Sequence, residues 1–391
     1  MSNKKDTKII ERAEFAINNI REKKNKWFFF VVDSKNVPNS GMEYMYQMAY
    51  TLKEKGFDVT MLYQLDNEYT PEEIEDLKKK NMPLDNNRVF TGVGEWLGTE
   101  YAELPHMNIQ KEQWVVSPSD FLFVPEVFSS LLKQTYQHNI PCKRFVVLQN
   151  YDYISEFIPF GDQWASYGVG DVITTTEQQK ELILKVFPYL KCKVLNPCIK
   201  DCFRKPIKPQ NLIVNIISKK QSDVNRIVKP FYWRNPWLQF VTFRDLRGYS
   251  QNEFADKLKE GAITVWVDDE TPFGYSALEA IRCNNIVLGK IPQNIPEWMG
   301  NKEKLFDNGI WFSNINDIPD MLANIVESWM NDEIPEELTD AMGETNKRYT
   351  REEWENNIDG VFNTIMEERI AELESVKESI KNKKNNEKEA E

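Results

Sequence analysis

At 391 residues, 41% hydrophobic and 28% charged, the chain is too long for one ordinary core and has the composition of a soluble globular protein; two domains of roughly 150–200 residues are expected. The formal net charge of −12, from 49 basic and 61 acidic residues, argues against sequence-independent nucleic-acid binding, which rests on Lys and Arg meeting phosphates, while leaving room for a local basic cleft. No apolar run approaches the ~20 residues a membrane helix needs, so no integral membrane segment is expected.

The opening stretch, MSNKKDTKIIERAEFAINNIREKK, is charged throughout and unlike a secretory signal, which predicts a cytoplasmic protein; it reads as a helix over residues 1–25. KWFFFVVD then forms a continuous apolar run suited to a strand buried on both faces. It leads into the turn-rich SKNVPNSG. MEYMYQMAYTLKEKG follows with helical spacing and Gly56 as its stop signal, and FDVTMLYQL is the next strand. This is a β-loop-α-β unit of the length a right-handed parallel crossover needs. Residues 66–115 are less regular. One or two short strands are expected in WVVSPSDFLFVPEV, a helix in VFSSLLKQTYQHN, and strands in RFVVLQN, DVITTT and KVLNP, with helical EQQKELILKVF among them. Such alternation is the signature of a doubly wound sheet.

KDCFRKPIKPQ, residues 200–210, has two prolines, five charges and no periodicity, and reads as an interdomain linker. A second alternating series begins at LIVNIIS and continues through the strands WLQFVTF, AITVWV, NNIVLG and GIWFS. NEFADKLKEG, SALEAIRC and IPDMLANIVESWM are helices between them. From about residue 332 the chain turns acidic and helical, and the last stretch, ESVKESIKNKKNNEKEAE, lacks an apolar face and is expected to fray. The expected domains are therefore 1–205, 206–335 and a helical segment, 336–391, with a charged tail. Ligands of open α/β sheets bind outside the carboxyl ends of the strands. Two tandem Rossmann-like domains facing a cleft would each hold one reactant there.

Five cysteines, Cys142, Cys192, Cys198, Cys202 and Cys283, form no CxxC pair and are expected to be reduced, mostly buried thiols. The two histidines, His106 and His138, leave little for a His-based metal site or a Ser/His/Asp triad, and His138 reads as a helix-end residue. More informative is VDDETPFGYSALEAIRCNNIVLG, residues 267–289. There a strand breaks into three acids, Asp268, Asp269 and Glu270, then a Pro-Phe-Gly corner, then a helix. A helix N-terminus offers N–H groups and partial positive charge to a phosphate. Gly274 permits close backbone approach. Glu279 can either accept ligand hydroxyls or simply complement the helix dipole.

Two stretches together resemble the GT-B glycosyltransferases of the retaining, glycogen-synthase-like kind. SGMEYMYQMAYTLKEKGFDVTML, residues 40–62, is similar to their opening glycine loop, helix and strand. TPFGYSALEAIRCNNIVLGKIPQNIPEWM, residues 271–299, resembles their donor-site signature. Both occur in order, one per domain. The resemblance implies a two-domain GT-B fold and a metal-independent, retaining transfer of a sugar from a nucleotide-sugar, with no cofactor. It implies that Phe273, Gly274, Tyr275 and Ser276 hold the donor and that Glu279 meets both ribose hydroxyls. Where the family has an acid eight positions before that Glu, this chain has Thr271, with Glu270 one earlier. Either Glu270 (or Asp269) bulges into place, or Thr271 contacts the sugar uncharged, or the site is silent.

The family's phosphate-binding basic pair corresponds to Lys220 and Arg226, with Lys219 as the alternative to Lys220, although Ser218 replaces the usual Gly. Arg244 and Leu246 fall where the family places the base. Of the family's Gly-Gly in the first domain only Gly41 remains; Tyr151 and Asp152 follow a strand where a cleft residue would be, and the family histidine has no clear counterpart. The acceptor can be a glycan, a protein, a lipid carrier or a modified DNA base, as for some phage glycosyltransferases. The rival readings are a catalytically silent GT-B scaffold or subunit and a nucleotide-sugar epimerase.

Overall fold

The computed structural model describes residues 2–300, 303 and 305–389. The chain divides into two compact units: the first runs up to Thr174, resumes over Ile183–Leu195 and again from Asn357; the second is Thr175–Leu182 with Asn196–Asn356.

In chain order the first unit opens with helix α1 (Ser2–Arg21), strand β1 (Lys26–Phe30), α2 (Ser40–Glu54), β2 (Asp58–Tyr63) and α3 (Pro71–Lys79). The short α4 (Gly94–Leu97) and α5 (Thr99–Ala102) lead to β3 (His106–Asn108), β4 (Phe121–Pro125), α6 (Ser129–Gln137), β5 (Lys143–Leu148) and α7 (Ile154–Phe157). β6 (Asp171–Thr174) and β7 (Lys191–Val194) complete a seven-stranded sheet ordered β3-β2-β1-β4-β5-β6-β7, parallel throughout, and α8 (Glu177–Val186), which joins them, is divided between the units after Leu182. Strands buried on both faces must be almost wholly apolar. β1 obeys this with KWFFF, of which only Lys26 is exposed. Its Trp27 stacks on Phe121 of the neighbouring strand at 4.4 Å.

The second unit carries β8 (Asn211–Ser218), α9 (Gln221–Arg234), β9 (Thr242–Asp245), α10 (Gln251–Glu260), β10 (Gly261–Val267), α11 (Tyr275–Arg282), β11 (Ile286–Lys290), β12 (Ile310–Phe312), α12 (Ile318–Met330) and α13 (Glu336–Asn346). Its five strands, ordered β12-β11-β10-β8-β9, are again all parallel, and every residue of the central β10 is buried. The expected class, α/β with two tandem doubly wound sheets, is thus what the chain adopts.

Several boundaries differ from the sequence reading. The division falls at Leu195/Asn196 rather than 205/206, because Ile199 and Phe203, inside the expected linker, are buried in the second unit's core. Leu338, Met342 and Tyr349 belong to that core as well, beyond the expected limit of 335. The last helix, α14 (Arg351–Glu389), then returns to the first unit, where Phe362 lies 5.2 Å from Trp27 and 5.6 Å from Phe123. Its end, expected to fray from residue 374, is helical through Glu389; Arg21–Glu374 and Glu14–Lys377 ion pairs, at 2.9 and 3.0 Å, tie it to α1, while residues 390 and 391 lie outside the described residues. WLQFVTF yields a strand only from Thr242, since Pro236–Leu238 forms a 3-10 turn. Among the described residues no helix is long and apolar enough to cross a membrane.

Candidate functional site

At the carboxyl edge of the second unit's sheet, strand register explains the three acids. Val267 ends β10 opposite Ser218 at the end of β8, so the next residues, Asp268 and Lys219, leave the sheet side by side. Their side chains pair at 3.2 Å. On the other flank Gly289 lies opposite Trp266, and Lys290, one residue on, reaches Asp269. Glu270 faces Lys220 at 4.0 Å, both well exposed. Each acid therefore meets its own lysine around a shallow recess that Ser218 and Asp223 also line. The Lys220–Glu270 pair, exposed on both sides, contributes only ~0–1 kcal/mol, so a dianionic ligand can displace Glu270 from Lys220 at little cost, whereas Asp268 and Lys290 are the more buried members of their pairs.

The turn from β10 to α11 is built by local hydrogen bonds. The Glu270 N–H donates to Asp268 Oδ1 (3.1 Å), and the Gly274 N–H donates to Thr271 Oγ1 (3.0 Å). Thr271, which one of the three readings sets at the sugar, thus has an ordering task in the corner. Trp298 Nε1 donates to the Phe273 carbonyl at 2.5 Å, and the Phe273 ring packs edge-on to Tyr275 and Tyr349. Gly274 is left-handed at φ +74°, and a Cβ there would stand 3.1 Å from Trp298 and 3.3 Å from Trp266. Its need for glycine therefore comes from the two indoles packed against it as well as from its φ. The helix starts at Tyr275, one residue before Ser276; both are half-buried. Glu279 is the fifth helical residue, on the second turn of α11, and is only 7% exposed.

Other expected donor residues are placed elsewhere. Lys220 caps the N-terminus of α9, but Arg226, six residues on, donates to Asn316 Oδ1 at 3.2 Å and does not line the recess. Arg244 pairs with Glu260 at 2.9 Å and donates to the Lys257 carbonyl, holding the C-terminal turn of α10. Leu246 is a core residue whose N–H donates to Ile216 O.

In the first unit, Gly41 sits in the first turn of α2, capped by Asn39, whose Oδ1 accepts the Met42 N–H at 3.0 Å. A Cβ on Gly41 would fall 2.4 Å from Gln149 Oε1, so glycine here makes room for that amide. Tyr151 and Asp152 open a 3-10 turn capped by Asn150; Tyr151 packs on the core while Asp152 is exposed. Glu126, directly after β4, is a buried acid for which the sequence carries no expectation. It is 2% exposed and accepts the N–H groups of Gln149 (3.2 Å) and Asn150 (2.8 Å). Burial pushes its pKa up to about 7 against the pull of those N–H groups. The only available signal was an acid at the carboxyl end of an apolar strand. His106 Nε2 and the Tyr46 hydroxyl share a hydrogen bond of 2.7 Å, and burial lowers the imidazole pKa; His138 caps the end of α6. Among the described residues no group of three or more His, Cys, Asp or Glu is placed to hold a metal ion.

No family model matches the chain, and no curated protein matches it in sequence. Solved structures match it in fold. Sucrose-phosphate synthase from Thermosynechococcus elongatus superposes with a TM-score of 0.56 at 10% identity, covering 87% of this chain and 99% of its own. The pneumococcal O-GlcNAc transferase GtfA, solved with UDP and GlcNAc, gives 0.56 at 10% identity over 88% and 99% of the two chains. Anabaena Alr3699/HepE, solved with UDP, gives 0.55 at 10% identity over 87% and 100%. At this identity the likeness establishes one thing, that this chain has a glycosyltransferase-like fold along nearly its whole length.

Proposed function

We propose that the protein transfers a sugar from a nucleotide-sugar to an acceptor hydroxyl, and that the recess between β8 and β10 receives the donor diphosphate. The observation that carries this reading is the pair Lys219 and Lys220, held at the carboxyl edge of the sheet in a fold shared with proteins solved holding UDP. The lysines act as point charges on the phosphates, Lys220 releasing Glu270. The N-terminal turn of α11 adds its dipole. With the diphosphate neutralised in this way, a metal is not required. Glu279 is assigned to the ribose, Glu270 or Thr271 to the sugar, and the outcome to retention at the anomeric carbon. The bond from that carbon to the β-phosphate oxygen breaks, the acceptor oxygen bonds in its place, and the acceptor proton leaves with the phosphate. Positioning and charge stabilisation supply the rate.

The runner-up is a catalytically silent scaffold. It is favoured by the use of the Thr271 hydroxyl in the corner, where the family resemblance implies an acid.

Thermal shift in EDTA tests the donor site. UDP, GDP or ADP at ~100 times its dissociation constant adds roughly 2.7 kcal/mol, and Lys220→Ala should lose much of that shift. Three unmoved melting curves would sink the proposal. Hydrolysis of the stabilising sugar nucleotide then separates enzyme from scaffold.

A further inference from the structure

The segment IPQNIPEWMG, residues 291–300, joins β11 towards β12 and carries a single acid. Its centre is a 3-10 turn, Glu297–Met299. Trp298 and Met299 are fully buried and Glu297 is half-buried. With three residues per turn, neighbouring side chains leave such a turn about 120° apart. Glu297 and Trp298 therefore serve different parts of the second unit.

Glu297 reaches the start of α8. Its Oε2 accepts the Glu177 N–H at 3.0 Å, and its Oε1 accepts the Asn196 side-chain amide at 2.6 Å. The same amide donates its other hydrogen to the Thr175 carbonyl at 2.9 Å. A carboxylate on the first N–H of a helix is favoured by both charge and dipole. Thr175, Glu177 and Asn196 all belong to the second unit, so the turn is fixed from within it. Trp298 reaches the corner before α11. Its indole N–H donates to the carbonyl of the buried Phe273, and its ring is one of the two packed against Gly274. Behind it, the Trp298 carbonyl accepts Asn308 Nδ2 at 3.0 Å, and that amide also donates to Thr345 Oγ1 at 2.8 Å.

A helix start receives a phosphate only when its N–H groups converge on one point. Sites keep such geometry within about 0.5 Å through the groups packed behind them. The corner has an internal bond for this, from the Gly274 N–H to Thr271 Oγ1. Trp298 adds one from outside the corner. We propose that Glu297 and Trp298 are positioning residues for the donor: Trp298 holds the Phe273–Gly274 corner in the shape that receives the diphosphate, and Glu297 fixes the turn that carries Trp298. The inference rests on the sugar-transfer reading above and assigns that site a support which does not itself line the recess.

Two measurements test it on the full chain: amide hydrogen exchange without ligand, and calorimetry with UDP, GDP and ADP in EDTA. Trp298→Phe keeps a ring against Gly274 but removes the N–H. Exchange over residues 271–279 should quicken in Trp298→Phe and Glu297→Ala, and affinity for the nucleotide that the parent binds should fall about tenfold in each. Glu297→Gln keeps an acceptor for the Glu177 N–H and should lose less. Phe362→Ala, in the first unit, controls for lost stability and should change neither quantity. Circular dichroism checks that each variant folds. Parent-like affinity in both Trp298→Phe and Glu297→Ala overturns the inference, as does unchanged exchange, or an equal loss of affinity in Phe362→Ala. If the parent binds nucleotide and Lys220→Ala loses it, the sugar-transfer reading survives any of those failures. If the parent binds none of the three nucleotides, that reading fails and this inference fails with it.

Discussion

A fully buried carboxylate that still titrates near neutrality makes Glu126 the residue whose behaviour is easiest to foresee. Folded, it keeps its proton up to about 7; unfolded, it releases it near its ordinary 4.5. Between those values the folded state binds more protons, so stability must fall as pH rises through the window, by about 3 kcal/mol in all. Glu126→Gln removes the titrating group. Melting temperatures of parent and variant, compared from pH 4 to pH 8, should diverge in slope across that window; parallel curves would show that Glu126 does not titrate there. Residue by residue, the sequence was legible where the backbone dictates side-chain company and illegible where a long side chain chooses its direction. Asp268, Asp269 and Glu270 stood out as a group because they follow a buried strand directly. Arg226 and Arg244 did not declare themselves, because spacing fixes where a Cα lies but leaves a guanidinium free to reach Asn316 or Glu260 instead of the recess.

Among the elements, α14 departs furthest from its reading. Composition marked it as an acidic, helical appendage, yet Ile358, Phe362, Ile365 and Met366 are buried along one face. A helix with so many charges hides its apolar stripe from composition, though not from a count at 3.6-residue spacing. Phe362 sits against Trp27 and Phe123. Phe362→Ala should therefore destabilise the first unit by about 3–5 kcal/mol, read from urea denaturation followed by far-ultraviolet circular dichroism. A loss below 1 kcal/mol would mean that the helix is only loosely docked. The strands, by contrast, were nearly all legible, since fully buried parallel strands leave runs such as KWFFF and AITVWV that little else explains.

For the whole molecule, the chain passes from one unit to the other four times. No composition shift marks those crossings, which is why the domain limits expected from prolines and charge fell inside a core. The second unit's core draws on Ile199 and Phe203 before the expected start, and on Leu338, Met342 and Tyr349 after the expected end. A fragment of residues 196–356 should unfold cooperatively in urea with native near-ultraviolet dichroism, whereas 206–335 should not. Equal cooperativity in the two fragments would return the boundary to the linker. The docking of Phe362 on Trp27 and Phe123 also sets an order of events during synthesis. Those partners leave the ribosome more than two hundred residues before Phe362 does. At translation rates of about 5–20 residues per second, that part of the first unit's apolar face waits more than ~10 s for its cover. Every residue of the second unit has been made by then, so the later unit can close first, and holdase chaperones have their longest opportunity at the earlier one.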